Sequence, residues 1–361
     1  MLFPWHFRRR QFALLFAGLI LVGLIVYHRD ALHDYYLELS GPFGSVALPP
    51  GLEVRAEGAF VQGLSGGRLN VRAFSLEPWL VVRRDGYDQP LRLRLYNVHA
   101  DWYQETSGRA RTRNNVLTLN QTDQSRRWPI RLRAELPSHY RIVVFGDSRG
   151  NMRLLPRMVD EINALEPFFV VHLGDIVDGG TAEEYAAALG AFQRFHMPVF
   201  TAIGNHDVER GGRVHYRRIF APDYYHFSVG DTLYLFLDNA NPIDFWAGAQ
   251  ADWLAQRFAR ETYRRAVVFM HRPPFDPRAG LEHAMENPIG ARRLRSALQG
   301  RRVAQVFASH VHGYFISRLG TIPLAVTGGA GAPLVEGGFY HYLVVEISPQ
   351  DITWQVVRFQ P

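Results

Sequence analysis

Apolar and polar residues follow two different periods along this chain, and the change of period divides it into regions. Between Leu52 and Leu136, short segments alternate apolar residues with arginine, as in Leu91–Tyr96 and Ile130–Ala134. A period of two is typical of strands that bury one face. Turn signals such as Ser65-Gly66-Gly67 separate these segments. The pattern predicts a small antiparallel β-sandwich, which we assign to residues 40–138.

From His139 onward, short apolar runs alternate with segments of helical period. Strands are predicted at Arg141–Phe145, Phe168–Leu173, Val199–Ile203, Ala266–Met270 and Val303–Ala308. Helices are predicted near Met152–Leu165, Ala182–Phe195, Ala249–Tyr263 and Ile289–Leu298. Hairpins are predicted around Tyr224–Asp238 and within Tyr314–Phe359. Such alternation favours an α/β domain, here residues 139–361.

The first 39 residues predict a membrane anchor. Arg8, Arg9 and Arg10 precede an uncharged apolar run, Gln11–Tyr27, of roughly the minimum length that spans a bilayer as a helix. Arginine flanks favour the cytoplasmic side. We therefore predict a single-pass membrane protein. Residues 1–39 would form its cytoplasmic N-terminus, anchor and juxtamembrane helix, and the remainder would lie outside the cytoplasm, on a periplasmic or extracellular face.

Two other interpretations of this segment stay open. A cleaved signal peptide needs a small-x-small site directly behind the apolar run, where Tyr27-His28-Arg29-Asp30 stands instead. A buried soluble helix leaves the arginine triplet unexplained.

Composition narrows the chemistry. The chain has 361 residues and 47% apolar content, enough for a large core and two domains. The net charge is +6, but all 40 basic residues are arginine and no nucleic-acid-binding motif accompanies them, so no nucleic-acid partner is expected. The absence of cysteine excludes disulfides and thiolate metal ligands. The arginine usage and the predicted anchor together suggest a bacterial envelope protein.

Five short polar motifs each follow one of the predicted strands. They are Gly146-Asp147-Ser148-Arg149, Gly174-Asp175-Ile176-Val177-Asp178, Gly204-Asn205-His206-Asp207, His271, and Ser309-His310-Val311-His312. In open α/β sheets, ligands bind beyond the carboxyl ends of strands. A mixture of carboxylate, amide and imidazole donors suits Mn, Fe, Zn or Co. The glycine before Asp147, Asp175 and Asn205 is expected to let the backbone turn sharply.

Together, and in this order between Tyr140 and Phe359, the motifs resemble those of the calcineurin-like metallophosphoesterase superfamily. The resemblance implies a two-sheet αββα sandwich that binds two divalent metal ions. It also implies hydrolysis of phosphoric mono- or diesters by metal-activated hydroxide, so the expected partner is a phosphate-ester substrate. Comparison with the purple acid phosphatases is less close, because their metal-binding tyrosine would fall near Asp178.

The resemblance also implies a role for each matching residue. Asp175 would bridge the two metals. One metal would be completed by Asn205, His271 and His310, and the other by Asp147 and His312. His206 would assist the departing oxygen, Asp207 would orient His206, and Asp178 would support the site from outside the ligand set.

Arg149 departs from the family pattern, in which the first motif is Asp-x-His. Arginine does not ligate metals at physiological pH, so one metal site lacks a donor and is expected to bind weakly or selectively. Two roles for Arg149 stay open, contact with a substrate phosphoryl oxygen and an ion pair that turns it away. A second function also stays open: a non-catalytic envelope module that binds phosphate or metal through a degenerate site.

Several other residues have simpler interpretations. His172 is expected to be a core histidine with its hydrogen bonds satisfied. His215, His226 and His283 are interpreted as surface histidines, and Tyr314 and His341 as residues that pack or support the site. The loop Gly328–Gly331 is predicted to lie near the rim of the site.

Overall fold

The computed structural model describes residues 46–99, 109–121, 125–133, 136–241 and 248–360. These residues belong to a single compact unit. Among them, no helix is long and apolar enough to cross a bilayer. The predicted anchor at Gln11–Tyr27 and the helix predicted to continue it lie outside the described residues.

Two sheets precede the α/β region. The first has the order β1 (Leu52–Glu57), β4 (Trp79–Arg84), β8 (Arg127–Arg131). The second has the order β2 (Ala59–Ser65), β3 (Arg68–Ala73), β5 (Arg92–Tyr96), β7 (Val116–Asn120), β6 (Arg109–Arg113). Both contribute buried side chains to one core, for example Leu93 and Leu95 from β5 and Trp128 and Ile130 from β8. The arrangement is a sandwich, as the alternating pattern predicted.

One strand pair departs from the antiparallel prediction. β3 and β5 run parallel, with Leu69 beside Leu93 and Val71 beside Leu95. After β3 the chain crosses to the other sheet to form β4. It then returns to form β5, which runs in the same direction as β3. Alternation reports which face of a strand is buried and carries no information on strand direction, so the sequence did not reveal this pairing.

Two larger sheets form the α/β region. The five-stranded sheet has the order β11 (Val199–Thr201), β10 (Phe169–His172), β9 (Tyr140–Phe145), β18 (His341–Ile347), β19 (Ile352–Arg358). The six-stranded sheet has the order β12 (Tyr225–Val229), β13 (Thr232–Phe236), β14 (Arg265–Phe269), β15 (Val303–Ala308), β17 (Ile322–Thr327), β16 (Tyr314–Leu319). β9, β10 and β11 run parallel in the first sheet, and β13, β14, β15 and β17 in the second.

Within the described part of the chain, five α-helices flank these sheets. They are α1 (Leu155–Leu165), α2 (Ala182–Phe192), α3 (Arg213–Ile219), α4 (Ala249–Arg260) and α5 (Pro288–Leu298). All but α3 were predicted from the sequence. Helix α3 has only seven residues, which is too short for a helical period to stand out from its surroundings.

The layer order follows from side-chain alternation along the six-stranded sheet. On β13, Tyr234 and Phe236 belong to the large core shared with the five-stranded sheet, whereas Leu233 and Leu235 belong to a separate core with α4 and α5. Helices α1, α2 and α3 pack into the large core from the other side. Helices therefore cover two sheets that face each other, which matches the predicted αββα arrangement.

The sandwich and the α/β region are joined by buried polar contacts. Asn97 Oδ1 accepts a hydrogen bond of 2.7 Å from Val199 N, at the start of β11. Arg72 Nε donates to the carbonyl of Phe220 at 3.1 Å, and Arg72 is 3% exposed. Because a buried donor or acceptor left without a partner is costly, these contacts fix the position of the sandwich against β11 and α3.

Candidate metal centre

The five polar motifs lie where parallel strands of the two sheets end, facing one another. Asp147, Asp175 and Asn205 follow β9, β10 and β11 of the five-stranded sheet, and His271 and His310 follow β14 and β15 of the six-stranded sheet. Because the two sheets pack together, the side chains that follow the strands of one sheet lie opposite those that follow the strands of the other. The structure thus brings together the residues predicted to hold metal.

The first group of donors surrounds the Nε2 atom of His271. Asn205 Oδ1 lies 2.9 Å from it, His310 Nδ1 lies 3.1 Å away and Asp175 Oδ1 lies 3.3 Å away. Two ligand atoms that each lie about 2.1 Å from the same cation are roughly 3.0–3.4 Å from each other. The spacing therefore fits a single metal ion at this position.

His271 is held in the tautomer that a metal needs. Its Nδ1 lies 3.0 Å from the carbonyl of Leu173, so Nδ1 carries the proton and Nε2 keeps a free lone pair. Burial lowers the pKa of His271 to about 3, and burial lowers the pKa of His310 as well. Both imidazoles are therefore neutral at ordinary pH, as metal ligation requires.

The second group comprises Asp147, Asp175 and His312, and it shares Asp175 with the first. His312 Nε2 lies 3.6 Å from Asp147 Oδ1, while His312 Nδ1 donates to the carbonyl of Pro333 at 2.8 Å. Asp147 Oδ1 and Asp175 Oδ2 are buried without a hydrogen-bond partner among the described residues. Buried carboxylate oxygens of this kind are costly unless a cation compensates them, so the donor set fits the metals that the family uses.

The backbone of this site is strained at its ligands. Asp147, Asp175 and His310 have φ values of 60°, 54° and 69°, in the left-handed region that residues other than glycine rarely adopt. Strain of this type persists where the surrounding contacts impose it, and it concentrates at functional sites.

The glycines before the ligands serve two different purposes. Gly174, with φ of 91°, adopts a turn that favours glycine. Gly204 has no positive φ, and a Cβ there would lie 2.1 Å from Asp175 N. Likewise, a Cβ on Gly146 would lie 2.6 Å from Ser309 Cβ. At Gly146 and Gly204, close contact between loops excludes a side chain, and no positive φ is involved.

Asp207 has a different role from the one predicted. Its Oδ1 accepts from Ile176 N at 2.8 Å and from Val177 N at 3.1 Å, and its Oδ2 accepts from Gly204 N at 2.8 Å. Burial and the neighbouring Asp175 carboxylate raise the pKa of Asp207 to about 8, and these three N–H groups oppose that rise only in part. Asp207 joins the second motif to the third and does not hold the His206 ring.

The His206 ring is held by other groups. Its Nδ1 lies 2.8 Å from the carbonyl of Asp178 and 3.0 Å from Glu209 Oε1. Its Nε2 lies 3.9 Å from Asp175 Oδ2, at the edge of the metal centre. Burial opposes protonation, but Glu209 and Asp175 outweigh it and raise the pKa of His206 to about 9. Glu209 was not predicted from the sequence, although its position three residues after His206 was an available signal.

Arg149 combines features of both predicted alternatives. Its Nη2 forms an ion pair of 2.5 Å with Asp178 Oδ1 and lies 3.2 Å from His206 Nδ1. The side chain is 20% exposed. Arg149 thus forms an ion pair, yet it remains beside His206 and the metal centre instead of turning away.

Sequence reasoning missed the role of two residues, Asn239 and His283, in positioning the histidine ligands. Asn239, which follows β13, accepts from the backbone N–H groups of His271 and Arg272 through Oδ1 at 3.2 Å and 3.0 Å. The His283 ring stacks on the His310 ring, with centroids 4.0 Å apart, and its Nε2 lies 3.1 Å from the His310 carbonyl. The position of Asn239 directly after a buried strand, as for the other motifs, was the available signal.

Other predicted roles agree with the structure. His172 is buried, accepts from Gly174 N through Nδ1 at 3.2 Å and contacts Ser148 Oγ through Nε2 at 2.9 Å, so it is a satisfied core histidine. The Gly328–Gly331 loop lies against the first motif, where Ala330 N donates to the carbonyl of Gly146 at 3.1 Å. A Cβ on Gly328 would lie 2.6 Å from Asp147 Oδ2.

Comparison with known proteins agrees with this geometry. The chain is 27% identical over 191 residues to the glycerophosphodiester phosphodiesterase GpdQ of Enterobacter lignolyticus, a match that covers 47% of this chain and 67% of that protein. It is also 27% identical over 163 residues to a probable glycerophosphodiester phosphodiesterase GpdQ of Arcobacter nitrofigilis, with 41% and 57% covered. The second match spans less than two thirds of that relative's length.

Among solved structures, purple acid phosphatase PPD1 from seeds of yellow lupin (Lupinus luteus) resembles this chain with a TM-score of 0.54. The likeness covers 78% of this chain and 71% of that one at 14% identity, so it concerns the fold alone. Residues 140–314 match the family model of the calcineurin-like phosphoesterases. This segment contains every predicted metal ligand, and it is this segment that belongs to the calcineurin-like phosphoesterase family.

Proposed function

We propose that this chain is a metal-dependent hydrolase of phosphoric esters, with phosphodiesters as its substrate class. One observation carries the proposal. Two groups of metal-donor side chains share Asp175, and two of their carboxylate oxygens, Asp147 Oδ1 and Asp175 Oδ2, are buried with no hydrogen-bond partner among the described residues. The preference for diesters rests on the phosphodiesterase activity for which the two relatives at 27% identity are named.

Asp175, Asn205, His271 and His310 would hold one metal, and Asp147, Asp175 and His312 the other. When bound, such a pair of cations supplies a nucleophile at neutral pH and neutralises charge on the phosphate oxygens. Asp175 suits the shared position because it alone belongs to both donor groups and offers two oxygens.

His206 would move the proton that the leaving group needs. Its Nδ1 faces two acceptors, the Asp178 carbonyl and Glu209 Oε1, and therefore carries a proton. The atom free to act is Nε2, which lies on the side of Asp175. As the bond from phosphorus to the departing oxygen breaks, Nε2–H would donate its proton to that oxygen.

Arg149 would add positive charge beside His206. Its guanidinium is anchored by Asp178, which limits its freedom and keeps it next to the metal centre. Guanidinium groups bind phosphate oxygens through paired N–H donors. We propose that Arg149 contacts a non-reacting oxygen of the substrate phosphoryl group.

The experiment uses the full chain, stripped of metal and reloaded with Mn²⁺. Bis-p-nitrophenyl phosphate and p-nitrophenyl phosphate are assayed side by side, with wild type and His206→Ala. Metal-dependent turnover that favours the diester and falls in the variant supports the proposal. Metal binding without turnover of either ester would favour the non-catalytic binding module, for which the three-donor second group is the relevant observation.

We also propose that the Gln11–Tyr27 run anchors the chain in a membrane, with the α/β region outside the cytoplasm. The support is the sequence pattern of an uncharged apolar run behind three arginines. Fractionation with alkaline carbonate, followed by protease treatment of intact cells, tests this. Recovery in the soluble fraction, or protection from external protease after the outer layers are opened, contradicts it.

A further inference from the structure

A cleft separate from the metal centre lies between the N-terminal sandwich and the edge of the six-stranded sheet. Its volume is about 660 Å³, and none of the metal-ligating residues lines it. The sandwich contributes the turn between β1 and β2 and the start of β4, and the α/β region contributes β12 and α4. Small-molecule sites commonly have volumes of about 300–1,000 Å³ and occur where domains meet.

Aromatic side chains form the walls of this cleft. The rings of Tyr224 and Trp253 have centroids 5.0 Å apart at an interplanar angle of 57°, and His226 lies 5.8 Å from Trp253 at 66°. Trp79 lines the cleft from the sandwich side. Trp79, Tyr224 and Trp253 are all partly exposed, so ring surface remains available to a ligand. The face of an aromatic ring carries partial negative charge and attracts cations.

The charged residues of the cleft are mostly acidic. Glu57, Glu77 and Glu261 line it together with a single arginine, Arg131. This excess of carboxylates stands out in a chain whose net charge is +6. Glu261 forms ion pairs with His226 at 3.2 Å and with Arg257 at 3.1 Å, whereas Glu57 is exposed and forms no ion pair with any described residue.

We propose that this cleft binds an organic cation of the quaternary-ammonium class. Aromatic walls remove such a cation from water while their faces attract it, and the carboxylates supply the opposite charge. A sugar would also stack on the tryptophans, but Glu57, an exposed carboxylate with no ion pair among the described residues, favours a cation. The site does not rest on the proposed hydrolytic activity, because it shares no residue with the metal centre.

The test is calorimetric titration of the full chain with choline chloride. The control ligand is 3,3-dimethylbutan-1-ol, which has the shape of choline without its charge, and potassium chloride controls for ionic strength. We expect saturable choline binding in the millimolar range and at least tenfold weaker binding of the alcohol. Equal affinity for both ligands, absence of saturable choline binding, or binding of glucose in preference to choline would overturn the proposal.

Single substitutions test whether choline binds in this cleft. Trp253→Leu should weaken choline binding about tenfold, Trp253→Phe should retain most of it because a ring remains, and Glu57→Gln should weaken it several-fold. Glu183→Gln, which removes an exposed carboxylate on α2 outside the cleft, is the matched control and should bind as wild type. The melting temperature and bound metal of each variant are measured alongside. Choline binding that persists unchanged in folded Trp253→Leu and Glu57→Gln would place the ligand elsewhere and overturn the assignment.

Discussion

The side chains of Asp175 and His271 come from two different sheets, yet Asp175 Oδ1 and His271 Nε2 lie 3.3 Å apart. Asp175 follows β10 of the five-stranded sheet and His271 follows β14 of the six-stranded sheet. The metal centre therefore depends on how the two sheets pack, and neither sheet alone contains a full set of donors. Changes at the two donor groups should consequently have separable effects.

The two donor groups should lose metal independently. His310→Ala removes a donor from the four-donor group, and His312→Ala removes one from the three-donor group. We expect each variant to bind about one metal instead of two. Two donors remain in the altered group of His312→Ala and three in that of His310→Ala. His312→Ala should therefore need a higher Mn²⁺ concentration to keep its second metal. Elemental analysis after dialysis against graded Mn²⁺ measures this. Loss of both metals in either variant would mean that the two positions are not separable.

His206→Ala should reduce kcat about 10²–10⁴-fold, the range typical of positioned proton donors. Bound metal should be unchanged, because the His206 ring is held by Asp178 and Glu209 and belongs to neither donor group. The measurement pairs steady-state kinetics with elemental analysis. His206→Ala should reduce kcat less for a substrate whose leaving group is highly acidic, because the departing oxygen of such a group needs no proton. An equal loss for both leaving groups would argue against proton donation by His206.

Arg149→His should strengthen metal binding at the three-donor group. The change restores an imidazole where the family pattern has one, and it removes a guanidinium that repels cations. We expect the apparent Kd for the weaker metal to fall about tenfold or more. Arg149→Gln is the matched control, since it removes the charge without adding an imidazole. A similar fall in both variants would show that charge repulsion, and not the missing donor, sets the affinity.

Much of this site could be predicted because its residues are marked by local pattern. Asp147, Asp175, Asn205, His271 and His310 each directly follow an apolar run, and parallel strands end at one edge of a sheet. Contacts between loops carry no periodicity, so the bonds of Asp207 to Ile176, Val177 and Gly204 and the stacking of His283 on His310 had no signal in the sequence.

The same limit applies to the fold. The two C-terminal hairpins were predicted, but their placement in different sheets was not. β18 pairs with β9 about 200 residues earlier, and β17 pairs with β15. Pairing between strands far apart in the chain is determined by packing of the whole domain, and a single sequence does not display it.

Stability at low pH should depend on Asp223. This buried carboxylate lies 3.1 Å from Arg213 Nη1 and accepts from Arg217 Nε at 2.9 Å. Burial alone would raise the pKa of Asp223, but Arg213 and Arg217 outweigh it and lower the pKa below that of an ordinary aspartate. A lowered folded-state pKa gives stability that is present above the unfolded-state pKa and is lost as the pH falls through the folded-state value.

Asp223→Asn should therefore unfold more easily at neutral pH, by about 3–5 kcal/mol, because it removes the carboxylate that pairs with Arg217 and leaves Arg213 paired with Asp238. The difference from wild type should narrow as the pH falls below about 4, where the wild-type carboxylate takes up its proton. Chemical denaturation at several pH values measures this. Asp160→Asn, at an exposed ion pair with Arg194, is the control and should cost less than about 1 kcal/mol. A difference that stays constant with pH would contradict the assigned pKa shift.

The most direct measurement determines bound metal and diester turnover in one sample of the full chain, for wild type and for Asp175→Asn. Asp175 is the residue that both donor groups share. For wild type we expect about two metals and metal-dependent turnover, and for the folded variant we expect loss of turnover with reduced occupancy of both sites. Turnover by the metal-free chain, or a variant that keeps both metals and full activity, would contradict the assignment of these residues as a two-metal centre.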